Sequence, residues 1–261
     1  DVFNQGAEPF DFTASANQPW IHLNQVRGTV VDESRLLVSI DWNQVPEGDS
    51  EGVVAIAQTG GATVQVRVRA LRPSTPARDS VQGFVESNHV VSIEAEHFTG
   101  QTVAAGVHWG RIPGFGETLS GMTVFPVTAA SAKPTQTAPT LEYRMFLFDG
   151  GTFNVEAILA PSLNFVPGRG LRYAISFDDQ QPLVVDALAN DSESDWAKAV
   201  SDGVRKVTCT LNAGDPGYHT LKFRMVDPGV VLEKLVISHG PVPSSYLGPP
   251  ESYWRPFQAS R

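Results

Sequence analysis

The chain has 261 residues, 41% of them hydrophobic, and a formal net charge of -9, a length that suits one large or two ordinary domains with sizeable cores. No run of about 18 apolar residues occurs, the length a membrane-spanning helix needs, so no membrane partner is expected. The acidic balance argues against a nucleic-acid partner, whose phosphates are met by clustered Lys and Arg.

Gly and Pro punctuate short runs rich in Val, Ile, Thr and Phe, and no long stretch keeps a 3.6-residue apolar period, so the chain reads as all-β. Strands are predicted at Phe10–Ala14, Ile21–Leu23, Arg35–Trp42, Gly52–Gln58 and Thr63–Leu71. The last alternates cleanly, with Val64, Val66 and Val68 on one face and Gln65, Arg67 and Arg69 on the other. Trp20 and Trp42 read as core indoles, because large aromatics in a small sandwich fill its interior. The polar segment from Arg72 to Ser80, with two prolines, then reads as a linker between domains. Two β-sandwich domains are accordingly expected, at residues 1–72 and 86–250, with a linker at 73–85 and a tail at 251–261.

Beyond the linker, strands are predicted at Val90–His97, Gly121–Val127, Thr140–Leu147, Gly151–Leu159, Arg172–Phe177, Leu183–Ala187, Val204–Leu211, Gly217–Val226 and Val230–Ser238. One helix is predicted, Ser194–Val200, with Ser192 as its N-cap and Glu193 and Asp195 near its positive end. The Pro- and Ser-rich segment from Gly240 is expected to run over the surface. Cys209, the one cysteine, excludes an intrachain disulfide and falls in an alternating run, as a half-buried strand residue; its isolation leaves the compartment open. The sequence starts at Asp1 without an initiator Met or signal-peptide core, and is expected to be a mature or excised piece of something longer.

The string Val91–Phe98, VSIEAEHF, sets two carboxylates at alternating positions of an otherwise buried strand. In a strand Glu94 and Glu96 share a face. Two readings stand: a solvated charged face, or a structural Ca²⁺ site, since hard cations take several oxygen ligands. For catalysis no pattern stands out. A glycosidase needs two carboxyl groups flanking the scissile bond, but the acids here sit largely in turn sequences such as Asp215-Pro216-Gly217 and Asp227-Pro228-Gly229. There is no His-x-x-x-His or Cys-x-x-Cys spacing, and Gly168-Arg169-Gly170 reads as a turn.

Sugar binding uses exposed aromatic faces with polar groups around them. Trp109, Phe115, Trp196 and Tyr218 fall in segments read as loops or loop edges, and Trp109, in the glycine-rich GVHWGRIPGFGE, is the preferred platform. Arg169 and Arg172 match the bidentate geometry of a uronate carboxylate. The alternative use of such aromatics is packing in an assembly surface.

Three strings carry a resemblance: TVFPVTA (Thr123–Ala129), PSLNFVPGRGLRYAISFDDQQP (Pro161–Pro182) and PGYHTLKFRMVDPGVVLEKLVI (Pro216–Ile237), followed by SYLGPPES (Ser245–Ser252). Over about residues 86–252 the chain resembles the C-terminal region of glycoside hydrolase family 115, whose members are xylan α-glucuronidases. FDFTASANQPWIHL (Phe10–Leu23) and RLLVSIDWNQVPEGDSEGVVAI (Arg35–Ile56) look like a BACON-type immunoglobulin-like domain. The second domain is also similar, more distantly, to jelly-roll-like carbohydrate-binding modules of families 6 and 35, where a Glu-Ala-Glu strand and an acid of the final strand hold Ca²⁺. That likeness implies Ca²⁺ ligands at Glu94, Glu96 and Glu233, the last with Glu where those modules have Asp. The family's catalytic barrel precedes both regions and is not in this sequence. The resemblance thus implies a non-catalytic, secreted or extracytoplasmic part of an α-glucuronidase, serving domain assembly or dimerisation. Accessory contact with glucuronoxylan of the plant cell wall belongs to the same implication, and an independent carbohydrate-binding module is the alternative.

Overall fold

The computed structural model describes residues 1–73, 76, 80–104, 106–189, 191–243, 245 and 247–256. The chain divides into two compact units, Asp1–Ser80 and Val81–Arg261.

The first unit comprises β1 (Val2–Phe3), β2 (Phe10–Ala16), β3 (Ile21–Leu23), β4 (Arg27–Val30), β5 (Glu33–Ser34), β6 (Val38–Ile40), β7 (Gly48–Gln58) and β8 (Thr63–Arg72). Four of them form an antiparallel sheet in the order β4-β2-β7-β8, beside the pairs β1-β5 and β3-β6. The alternation of β2 buries Phe12 and Ala14 and exposes Asp11, Thr13 and Ser15. Phe12, Ala14 and Val30 make one core cluster, and Trp20, Ile21, Val45, Val54 and Ala70 another, with Trp42 packed against the latter. The strand predicted at Arg35–Trp42 shrinks to β6. Its first residues leave the ladder because Leu37 exchanges hydrogen bonds with Asn24, one of them to the Asn24 side chain.

The second unit comprises β9 (Gly83–Val85), β10 (Val90–Glu94), β11 (Gly100–Thr102), β12 (His108–Ile112), β13 (Gly121–Phe125), β14 (Thr140–Leu147), β15 (Gly151–Leu159), β16 (Arg172–Phe177), β17 (Leu183–Asp186), α1 (Glu193–Asp202), β18 (Arg205–Gly214), β19 (Gly217–Met225), β20 (Leu232–Ser238) and β21 (Trp254–Arg255). One sheet runs β12-β13-β20-β15-β18, with β10 also on β20. The other runs β17-β16-β19-β14-β9-β21, with β11 also on β14. The core lies between the sheets. On β14, Leu141, Tyr143, Met145 and Leu147 point inward to meet Leu221 and Phe223 of the same sheet, and Val155, Leu235 and Ile237 of the other. Outward on β14 go Glu142, Arg144 and Phe146.

Five further expectations are corrected. The strand predicted at Val90–His97 ends at Glu94 and passes into a 3-10 turn, Ala95–His97, whose Ala95 carbonyl accepts the buried Tyr143 hydroxyl at 2.9 Å. The GVHWGRI segment is the strand β12, not a loop. A Cβ on Gly110 would lie 2.7 Å from the Phe125 ring, so this glycine serves close packing on β13. The expected linker, 73–85, ends in β9, which pairs in parallel with β14; its residues 74, 75 and 77–79 lie outside the described residues. The expected tail, 251–261, begins with sheet structure, because Trp254 pairs with Phe84 and stacks on it at 5.7 Å; residues 257–261 lie outside the described set. The helix is longer than predicted. A capping box of Ser192 and Asp195 starts it and Gly203, at φ 73, ends it.

Candidate functional site

Where β10 meets β20, Glu94 lies opposite Lys234. Its carboxylate is 3.0 Å from Lys234 Nζ and accepts the hydroxyl of the exposed Thr118 at 2.7 Å, while Glu94 and Lys234 are themselves buried. Lys234 Nζ also donates to the Leu247 carbonyl at 3.0 Å. A register shift between Ile158 and Leu159 of β15 sets Glu233 out of the regular ladder. Glu233 accepts the Glu117 N–H at 3.2 Å. Burial, with the Glu117 and Glu94 carboxylates adding to it, pushes its carboxyl up to about 7.

The Ca²⁺ cage expected at Glu94, Glu96 and Glu233 is therefore corrected. Beside Glu94 the positive charge is the Lys234 ammonium. Glu96 leaves with the 3-10 turn and lies 3.4 Å from Arg111, while His97 Nδ1 meets Glu251 at 2.8 Å. Among the described residues, the group whose ligand-capable atoms do converge within 4.8 Å of one another is Glu86, His89 and Asp149, before the other end of β10.

The three residues expected to bind glycan are engaged internally. Trp109 is 3% exposed, because its strand parity turns it inward with Val124, and its ring stands edge-on to Phe223 at 5.6 Å. It is a core residue and not a platform. Arg172 does make the bidentate carboxylate contact its chemistry suggests, but to the chain's own Asp227, at 2.8 and 3.1 Å. Ser131 donates to the same carboxylate at 2.6 Å. Burial acts to raise the Asp227 carboxyl, yet the Arg172 and Ser131 hydrogen bonds outweigh it and hold the group below its ordinary range. Arg169 stands 3.7 Å from Asp227 and 5.1 Å from the Phe165 ring centre. Its Nε and Nη2 are buried without hydrogen-bond partners.

The sequence singled out Tyr218 but not the surface around it, nor a second surface beside α1. On the outer face of β14 and β19, Phe146 meets Tyr218 edge-on at 5.1 Å and Phe148 at 5.0 Å, and the Arg144 guanidinium lies 4.7 Å over the Tyr218 ring. The signal was available: Phe146 and Phe148 occupy the polar phase of an alternating strand. Tyr218 is 43% exposed, its hydroxyl taking the Gln82 N–H at 3.2 Å. Beside α1 lies an open groove of about 960 Å³, lined among others by Asp186, Asp191, Asp195, Lys198, Asp202 and Arg205. Its acids have partners: Asp191 on Arg205, Asp202 on Lys198, and Asp195 on Ser192, which lowers the Asp195 carboxyl.

The carboxyls raised to about 7, the property of a general acid, are Glu233 and Glu86. Both are buried, at 6% and 4% exposure. A β-sandwich module whose inner acids are tied to internal donors is the class that the fold and its charges define. The family model for the glycosyl hydrolase family 115 C-terminal domain matches residues 83–251, and the chain belongs to that family.

Among solved structures, BtGH115A, a family 115 4-O-methyl-α-glucuronidase with specificity for decorated arabinogalactans, is 18% identical with a TM-score of 0.46. The match covers 60% of this chain and only 18% of that one. The C-terminal family 6 module of LamC, a marine laminarinase from Zobellia galactanivorans, is 14% identical, with 57% and 98% covered and a TM-score of 0.38. A family 35 carbohydrate-binding module from Clostridium thermocellum is 12% identical, with 56% and 97% covered and a TM-score of 0.38. No curated protein matches the chain in sequence.

Proposed function

We propose that the chain is the non-catalytic C-terminal part of a xylan α-glucuronidase of family 115, acting outside the cytoplasm, and that it serves the assembly of that enzyme. The observation that carries the assembly role is β8. This ten-residue strand is an edge of its sheet, paired on one side with β7. Val64 and Val66 lie opposite Ile56 and Val54, on the core face, yet remain 58% and 43% exposed. An edge with unpaired backbone groups and bare valines is a template for another strand or apolar surface. The occupant we assign is another part of the same family 115 polypeptide, in keeping with a BACON-type domain over residues 1–72 as an internal support.

The test mixes the chain with the separately produced catalytic part of its parent enzyme and follows complex formation by analytical ultracentrifugation. A complex that Val64→Glu with Val66→Glu weakens at least about tenfold, roughly 1.4 kcal/mol, is the expected result. No complex with the unaltered chain, or a dimer of the chain alone abolished by the same substitutions, overturns the assignment.

A second reading, accessory contact with glucuronoxylan or a related acidic polysaccharide, draws support from the Tyr218, Phe146 and Arg144 surface. It joins a ring available for stacking to a guanidinium suited to a uronate. Retardation on glucuronoxylan in affinity electrophoresis, lost with Tyr218→Ala and weakened by salt, is its expected sign.

A further inference from the structure

We infer that Glu86, His89 and Asp149 form a site for a divalent cation of the Zn²⁺ type, tying the start of β10 to the turn between β14 and β15. Glu86 follows β9 and is held there by its N–H on the Phe146 carbonyl at 3.0 Å. One carboxylate oxygen, Oε2, accepts the Phe148 and Asp149 N–H groups at 2.5 and 2.9 Å. The other, Oε1, is buried without any hydrogen-bond partner, in a residue 4% exposed. A buried carboxylate oxygen is rarely left so. His89 Nδ1 contacts Asp149 Oδ2, and the three groups offer ligand atoms within 4.8 Å of one another.

The backbone fixes this arrangement from both sides. Asn88 and His89 both take positive φ, 52° and 61°, in the tight turn closed by Ser87 and Val90. The N–H of His239, the residue after β20, donates to the His89 carbonyl at 2.9 Å. Two carboxylates and one neutral imidazole carry the charge that a divalent ion neutralises. The mixed nitrogen and oxygen set favours a borderline ion such as Zn²⁺ over Ca²⁺. The rival occupant of these oxygens is a proton.

The probe is Zn²⁺ alone, titrated calorimetrically at neutral pH into the full chain and into Glu86→Gln, His89→Asn and, as a control on the first unit, His22→Asn. Asn suits the positive φ at position 89 and keeps the turn. One Zn²⁺ per chain is expected, weakened at least about tenfold in Glu86→Gln and His89→Asn and unchanged in His22→Asn. A rise in melting temperature with Zn²⁺ should follow the same pattern. Should Glu86→Gln fail to fold, His89→Asn carries the decision. No binding up to millimolar Zn²⁺, as a shared proton would give, or binding that neither substitution weakens, overturns the site.

Discussion

The buried pair of Glu94 and Lys234 shows how one residue's neighbours decide its role. Lys234 and Thr118 meet the Glu94 carboxylate, and carbonyls of the C-terminal segment meet the Lys234 ammonium in turn. Removing one partner strands the other charge in the interior. Lys234→Met should therefore cost about 3–5 kcal/mol of stability, read from urea unfolding at neutral pH, and a double change with Glu94→Leu should recover most of it. A loss under about 1 kcal/mol would mean that water reaches the pair.

Glu233 adds a pH dependence with a definite sign. Its folded carboxyl lies near 7 against an ordinary 4.5, so the folded state holds the proton more tightly than the unfolded chain. That contribution is complete below about pH 4.5 and is lost as pH rises through about 7. Stability in metal-free buffer should fall over that interval by about 1–3 kcal/mol, and Glu233→Gln should flatten this share. Glu94, Glu117 and Lys234 are the charged groups around it, and an unchanged slope in the variant would assign the titration elsewhere. The Glu-Ala-Glu string was legible as unusual, but its period-two reading assumed that the strand continues. The 3-10 turn at Ala95 sends Glu96 to Arg111, and a local pattern holds no trace of Arg111 as a partner.

At the level of elements, clean alternation was the most readable signal. β14, β15 and β19 lie at or within a residue of their predicted ends, because each has one face on the core. β12 was hidden by the glycines in and around it, of which Gly110 serves ring packing, and β9 and β21 are too short to show a period. The segment from Glu251 to Arg255 is part of the sandwich. Glu251 accepts the Glu94 N–H at 3.0 Å and meets His97, Ser252 exchanges hydrogen bonds with Ser92, and Trp254 stacks on Phe84 and His97. Ending the chain at Gly248 should lower stability by about 2–4 kcal/mol, the worth of one partly buried indole and a few hydrogen bonds. Unfolding unchanged by that truncation would show that β21 is not part of the cooperative structure.

Across the whole molecule, each unit closes its own strand pairings and buries its own apolar clusters. Charges that a sequence offers as catalytic or ligand-binding are turned inward: Arg172 on Asp227, Lys234 on Glu94, His97 on Glu251. Two outward features, a bare edge strand and an aromatic patch, suit partners more than bond cleavage. Release of glucuronic acid from glucuronoxylan by the chain alone tests this directly. The expected result is none above that of the heat-unfolded chain; release that Glu233→Gln or Glu86→Gln abolishes would contradict it, because those two raised carboxyls would then be a general acid at work.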